Sequence, residues 1–254
     1  PRLAVVGWHG PGVAADAAPV VLVGKGLTFD TGGITLKRPP GMDAMKADMA
    51  GAAAVLGAMR TLAVTDAPVR AVGVLAIAEN MVGGAAFRPG DIVTAADGTT
   101  IEILDTDAEG RLALADALAW SVATLKPRAI VTIATLTGSI IRALGGRYAG
   151  LFATDEALAS ALRDTGAGLD EPLWRMPMDA WYRANLDSGI ADIAQIASDE
   201  ASADAIHAAV FLRHFAGEVP FAHIDTGRLT DPDRDRLLTR HGYTGFGSRL
   251  LARA

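Results

Sequence analysis

The sequence predicts an α/β fold, with a mixed, largely parallel central sheet and helices on both faces. Two observations carry this. Short continuous apolar runs, the mark of strands buried on both faces, alternate with longer small-residue stretches of helical pattern. The chain also has 254 residues, half of them hydrophobic and only 20% charged, which suits one large domain with an ample core. In such folds functional sites lie at the carboxyl ends of the strands.

The elements follow in order. "RLAVVGW" (2–8) and "PVVLVGKG" (19–26) are predicted strands, separated by a Gly/Pro/Ala loop at 9–18. "AMKADMAGAAAVLGAMRTLA" (44–63) is a predicted helix, rich in small residues and so able to pack closely. "VRAVGVLAIAEN" (69–80) is a further buried strand. Residues 91–104 alternate in polarity around Asp97-Gly98, a strong hairpin signal. A helix over 109–123 follows, then "RAIVTIATLTG" (128–138), a strand running into a loop. Helices are predicted at 155–165, 177–186 and 204–216. "VPFAHIDTG" (219–227) is the last strand and "GFGSRLLARA" the last helix.

Composition excludes several functions. The net charge of −6 argues against nucleic acid as a partner. With no cysteine, the chain has no disulfide, no thiolate metal site and no cysteine nucleophile. No apolar run reaches the roughly 18 residues of a membrane helix, so no membrane partner is expected. No signal peptide is visible, which favours the cytoplasm. The chain opens at Pro1 and not at Met, which leaves room for an upstream part. The P-loop, GxGxxG, HExxH and GxSxG patterns are all missing.

The chemistry-bearing residues are acids near strand ends. "EILDTDAEGRLALADALAW" (102–120) crowds Asp105, Asp107 and Glu109 before an apolar helix. Spaced i, i+2, Asp107 and Glu109 point the same way only in extended backbone, which assigns them to a loop before a helix starting near Gly110. Capping that helix would be the purely structural use of the acids, but it contributes only roughly 0.3–1 kcal/mol. "VGKGLTFDTGG" (23–33) adds Lys25 and Asp30, "TLKRPPG" adds Lys37, and "MKADMAG" places Asp48 in a small, apolar helical stretch. An unpaired carboxylate is not expected to be buried there. If Asp30, Asp48, Asp107 and Glu109 converge, two divalent cations would balance them. Oxygen ligands with one nitrogen suit Zn²⁺ or Mn²⁺, and also Mg²⁺ or Co²⁺.

"DTDAEGRL" closely resembles the NTDAEGRL signature of the leucine aminopeptidase (cytosol aminopeptidase) family. "VGKGLTFDTGG", "ITLKRPPGMDAMKADMAG" and "ATLTG" are similar to that family's other motifs, in the same order. The resemblance runs from Pro1 to the "TGFGSRLL" tail. It implies a zinc-peptidase-like three-layer α/β/α fold and a two-metal aminopeptidase acting on short peptides with neutral, apolar N-terminal residues such as leucine. Lys25, Asp30, Asp48, Asp107 and Glu109 match the metal ligands, with Asp30 and Glu109 touching both ions. Lys37 matches the lysine that polarises the scissile carbonyl. Arg111 matches the arginine that holds a bicarbonate thought to act as general base. Met45, Thr135, Leu136 and Gly138 match walls and backbone contacts of the substrate pocket. The resemblance also implies a cytoplasmic homo-oligomer, a hexamer. Residues 1–254 would form a single catalytic domain, without the additional N-terminal domain that family members carry.

The chain departs from the family pattern in places. Asp105 stands where the signature has asparagine, and is expected to tune the site without being a ligand. In "SADAIHAAVF" (202–211) Asp204 replaces a glycine and His207 a threonine, which puts the side-chain preference in question. Asp204 is expected to be a helix N-cap, and His207 a packed or surface histidine. The other histidines, His9, His214, His223 and His241, show no metal-binding spacing. Two rival readings stand beside this one. A two-metal phosphoesterase would want histidines and a cationic phosphate cradle. An altered family member could act as a binding or regulatory module, but the intact set of ligands with Lys37 and Arg111 argues for catalysis.

Overall fold

The computed structural model describes residues 1–197, 203–227, 229 and 242–254, so that Ser202 and His241 lie outside the described residues. The chain begins with β1 (Arg2–His9) and β2 (Val20–Asp30), a 3-10 helix (Met42–Ala47), α1 (Ala50–Val64) and β3 (Arg70–Asn80). The hairpin β4 (Ile92–Thr94) and β5 (Thr100–Glu102) follows, then a 3-10 turn (Thr106–Ala108) and α2 (Glu109–Leu125). β6 (Ala129–Ala134), α3 (Gly138–Leu144), β7 (Ala149–Ala153), α4 (Glu156–Gly168) and β8 (Leu173–Arg175) come next. A 3-10 helix (Ala180–Leu186), β9 (Ile193–Ala194), α5 (Asp204–Ala216), β10 (Phe221–Asp225) and α6 (Ser248–Arg253) complete the order.

Seven strands form the central sheet in the order β1-β3-β2-β6-β10-β7-β8. The four central strands β3, β2, β6 and β10 run parallel, and β1 and β7 are antiparallel to their inner neighbours. Successive strand residues face opposite layers, as strand geometry requires. Val21, Val23 and Ile130 pack with Leu114, Leu118, Phe211 and Phe215 of α2 and α5. Leu22, Val131 and Ile133 pack on the other face with Val55, Leu162 and Leu250 of α1, α4 and α6. This is the predicted mixed α/β architecture with helices on both faces. The hairpin pairs with β9 in a separate three-stranded sheet, and its turn uses Gly98 at φ 93.

α1 lies unusually close to the sheet. A Cβ on Gly51 would fall 2.2 Å from the Ile133 carbonyl oxygen, and one on Gly24 would fall 2.5 Å from the Gly51 oxygen. Only glycine permits this approach. It brings Asp48, just before α1, within reach of Lys25 on β2.

Several local expectations are corrected. The helix expected over 44–63 is broken between the 3-10 helix and α1, so Asp48 caps the first piece and is not inside a helix. Residues 180–186 form a 3-10 helix capped by Asp179, not an α-helix. β7, β8 and the seven-residue α3 were not predicted, being short apolar runs without a distinct period. Met42–Val64, with mean hydropathy 1.3, is long and apolar enough for a membrane span by length and composition alone. It contains the break at Asp48 and buries Ala54, Val55, Ala58 and Met59 against the sheet, as a core helix does.

α6 is held by one buried acid. Glu171 Oε2 accepts from the backbone N–H groups of Gly247 and Leu250, and Oε1 accepts from Arg249. Glu171→Ala would leave two buried helix N-terminal donors unpaired. We expect a loss of about 1–3 kcal/mol, read as a lower urea midpoint. An unchanged midpoint would show that α6 does not need this anchor.

Candidate metal centre

The parallel strands β2, β6 and β10 end on one side of the sheet. There Asp30 closes β2, the loop Thr135–Thr137 leaves β6, and Asp225 closes β10. A cavity of about 560 Å³ opens above these ends. Lys25, Asp30, Lys37, Met45, Asp48, Asp107, Arg111, Thr135, Leu136 and Gly138 all line it. Glu109 is buried, pairs with Lys25 and sits directly beside the Asp30 and Asp107 carboxylates. The residues singled out in the sequence thus come together in space, although they span more than eighty positions.

Two lysines tie the acids together. Lys25 Nζ lies 2.8 Å from Asp48 Oδ2 and 2.9 Å from Glu109 Oε1. It also donates to the Thr135 carbonyl at 3.2 Å. Lys37 Nζ meets Asp30 Oδ2 at 2.7 Å and donates to Asp107. Four carboxylates face two ammonium groups, so the cluster keeps a net negative charge and attracts cations. Burial pushes the carboxyls of Asp48, Asp107 and Glu109 up, against the pull of the lysines. Burial alone would lower the Lys25 ammonium, but Glu109 and Asp48 outweigh it and hold it above the usual lysine range. Lys37 is likewise held high, with Asp107 and Asp30 outweighing its burial.

The donor set fits divalent cations. Asp30, Asp107 and Glu109 each offer a carboxylate oxygen, all within 4.8 Å of one another. Asp48 Oδ2 is buried and faces Lys25 Nζ at 2.8 Å, so its carboxylate stands beside the same group. Hard oxygen donors around a buried amine are a suitable set for such ions.

The backbone of the acid-bearing segment differs from expectation. Asp107 sits in the 3-10 turn and Glu109 opens α2 with helical dihedrals, so neither is in extended backbone. The tight turn brings them together instead. Asp105 caps that turn, its Oδ1 accepting from the Asp107 N–H at 2.8 Å. Gly110 is required beside them, because a Cβ there would stand 2.6 Å from Lys25 Nζ.

Sequence reasoning missed three supporting residues. Buried Asn80 ends β3, and its Nδ2 donates to Asp30 Oδ1 at 2.9 Å, to the Thr106 carbonyl at 3.0 Å and toward Glu109 Oε2 at 3.4 Å. A polar residue closing the apolar run 70–80 was the available signal. Buried Gln195 accepts from the N–H groups of Leu104 and Asp105 and donates to the Ala108 carbonyl, while its own carbonyl accepts from Arg111. Nothing in its local sequence marked it. Asp225 accepts from the N–H groups of Leu136, Thr137 and Gly227 and from the Thr137 hydroxyl, which sets the shape of the 135–138 loop.

Burial pushes the Asp225 carboxyl up to about 6, despite the hydrogen bonds it accepts. An unfolded aspartate loses its proton near pH 4. Between those values the folded state binds the extra proton, so stability falls as pH rises through this interval. The loss amounts to about 3 kcal/mol. Urea unfolding at about pH 3 and about pH 7 should show the wild type losing close to that much relative to Asp225→Asn. Parallel pH curves for the two proteins would refute the assignment.

Asp204 is not a helix N-cap. It is the first residue of α5, whose cap position is Ala203 without a side-chain bond. Its carboxylate pairs with Arg111 at 2.9 Å, the arginine expected to hold an anion. His207 is packed, as expected: it is buried, edge-on to Tyr182, with Nε2 3.0 Å from Asn185.

Comparison with known proteins gives a consistent set of matches. The family model described as "Cytosol aminopeptidase family, catalytic domain" matches residues 1–252. The chain is 47% identical over 252 residues to a probable cytosol aminopeptidase of Wolbachia pipientis wMel, covering 99% of this chain and 50% of that protein. It is 48% identical over 251 residues to one from Gluconobacter oxydans, again over 99% of this chain and 50% of the relative. A Burkholderia lata protein of the same description is 52% identical over 217 residues, 85% of this chain and 42% of that protein. The chain thus spans about half the length of the curated relatives it matches.

Proposed function

The chain belongs to the cytosol aminopeptidase family, and from that premise we propose that it is a metal-dependent aminopeptidase that removes N-terminal residues from short peptides. The observation that carries the reading is the convergence of the Asp30, Asp107 and Glu109 carboxylates within 4.8 Å, flanked by Lys25 and Lys37. In this reading Lys25, Asp30, Asp48, Asp107 and Glu109 hold two divalent ions, Zn²⁺ or Mn²⁺ first, with Mg²⁺ or Co²⁺ as alternatives. Such a pair supplies Lewis acidity and an activated water.

The chain's own residues do the rest. Lys25 serves as a ligand only as the neutral amine. Its burial favours that form once cations take up the charge of Glu109 and Asp48. Lys37 keeps its proton and opposes the negative charge that develops on the scissile carbonyl oxygen. The Thr135–Gly138 loop, shaped by Asp225, offers backbone groups to align the peptide. Met45, Leu136, Ile141 and Ile196 give the cavity apolar walls, which suits a neutral N-terminal side chain such as leucine. Arg111 is the seat for a bicarbonate in the family pattern, and here such an ion would have to displace or sit beside Asp204. We place the activity in a single catalytic domain, residues 1–254. We further propose a cytoplasmic homo-oligomer, a hexamer, acting without membrane or nucleic acid.

The test is hydrolysis of leucine p-nitroanilide and of its N-acetylated form, after chelation and then after adding back Zn²⁺ or Mn²⁺. Metal-restored cleavage of the free-amine substrate alone is expected. Cleavage of both forms, or of the free form without metal, would overturn the reading.

A further inference from the structure

One acid in the cavity has no place in the scheme above. Among the described residues, Asp30, Asp48 and Asp107 are engaged by Lys25 or Lys37. Asp105 is used as a turn cap. That leaves Asp204. Its Oδ1 lies 2.9 Å from Arg111 Nη2, and its Oδ2 accepts from the Ser139 hydroxyl at 3.3 Å. The side chain is 34% exposed and lines the same cavity as Lys25, Lys37 and Asp107. Its two partners fix the carboxylate without closing it off from the cavity.

Arg111 shows why an anion is needed there. The guanidinium is buried, with Nη1 donating to the Gln195 carbonyl at 3.1 Å and, among the described residues, no hydrogen-bond partner for Nε. A buried arginine cannot shed its proton, so it demands a negative partner. The chain supplies that partner covalently, as the first residue of α5.

We propose that Asp204 is the proton acceptor of the reaction, a built-in carboxylate held by Arg111 in place of a diffusible anion. The proposal rests on the aminopeptidase reading and extends it. Asp204 takes a proton from the attacking water as its oxygen bonds to the scissile carbonyl carbon. The carboxylic acid then gives that proton to the departing amine nitrogen as the C–N bond breaks. The enzyme ends as it began, and one water is consumed.

The test uses Asp204→Asn and Asp204→Gly in the metal-loaded protein. Asparagine keeps an acceptor for Arg111 but cannot take the proton. We expect kcat to fall by about 10²–10⁴-fold in both, with KM and bound metal close to wild type and with a lowered melting temperature, since buried Arg111 loses its anionic partner, that still leaves the proteins folded at the assay temperature. In the glycine variant added formate, a carboxylate small enough to sit on Arg111, should restore much of the lost kcat with saturation. Carbon-13 formate NMR should show binding to that variant and not to wild type, a readout independent of turnover. Unchanged or increased kcat in Asp204→Asn overturns the proposal, as does a loss confined to KM. A kcat loss that formate does not restore in a folded glycine variant makes Asp204 a mere partner of Arg111, and also overturns it. Should the glycine variant not fold, the asparagine variant decides alone on kcat. A wild type inactive on every free-amine substrate overturns the aminopeptidase reading itself. An active wild type with a fully active Asp204→Asn overturns only this proposal.

Discussion

Asp107→Ala is expected to lower turnover of leucine p-nitroanilide by more than about a thousandfold and to reduce the number of bound metal ions. Asp107 belongs to the three-carboxylate cluster formed with Asp30 and Glu109. Asp105, two residues away, is committed to the Asp107 N–H and would lose its purpose as a turn cap if it swung inward. Removing one carboxylate also leaves Lys37 paired with Asp30 alone, so the remaining charge is better balanced and attracts cations less strongly. Elemental analysis beside the rate assay separates the two consequences. Normal turnover with a normal metal count would remove Asp107 from the ligand set.

Lys37→Ala is expected to act differently, losing about 10²–10³ in kcat while metal content is retained. The ammonium lies against Asp30 and Asp107 and lines the cavity, so it is placed to face a substrate oxygen. Deleting it removes a positive charge next to three carboxylates, which favours cation binding. A variant with tighter metal binding and poor turnover is the signature of a residue that serves the transition state. Equal activity would remove Lys37 from the mechanism. Lost metal would make it a structural counter-ion.

The sheet was legible because β2, β3 and β6 are apolar runs that nothing but burial explains, and α2 and α5 because their patterns are long. The short elements were not. β7 and β8 have five and three residues, too few for a period to show. The break at Asp48 lies inside a continuous alanine- and methionine-rich stretch, where no local breaker residue marks it. The acids themselves were visible as chemistry, but their convergence was visible only through resemblance. Extended backbone was the wrong local account of Asp107 and Glu109, since a single 3-10 turn achieves the same end. Asp204 was read as a cap because local sequence speaks to helix ends. Its real partner lies 93 positions away, beyond the reach of any local rule.

Gln195 bears on the order in which the molecule is assembled. Every residue expected to bind metal lies between 25 and 109, in the first half of the chain. The side chain that sets the geometry of residues 104–108 is separated from them by 87 to 91 positions. During synthesis these acids emerge from the ribosome well before the glutamine that holds their loop. Contacts of such sequence separation form slowly, because the intervening chain must first be closed into a loop. A nascent chain ending short of residue 195 would therefore carry all five expected ligands and lack the side chain that pins the loop bearing Asp107 and leading into Glu109.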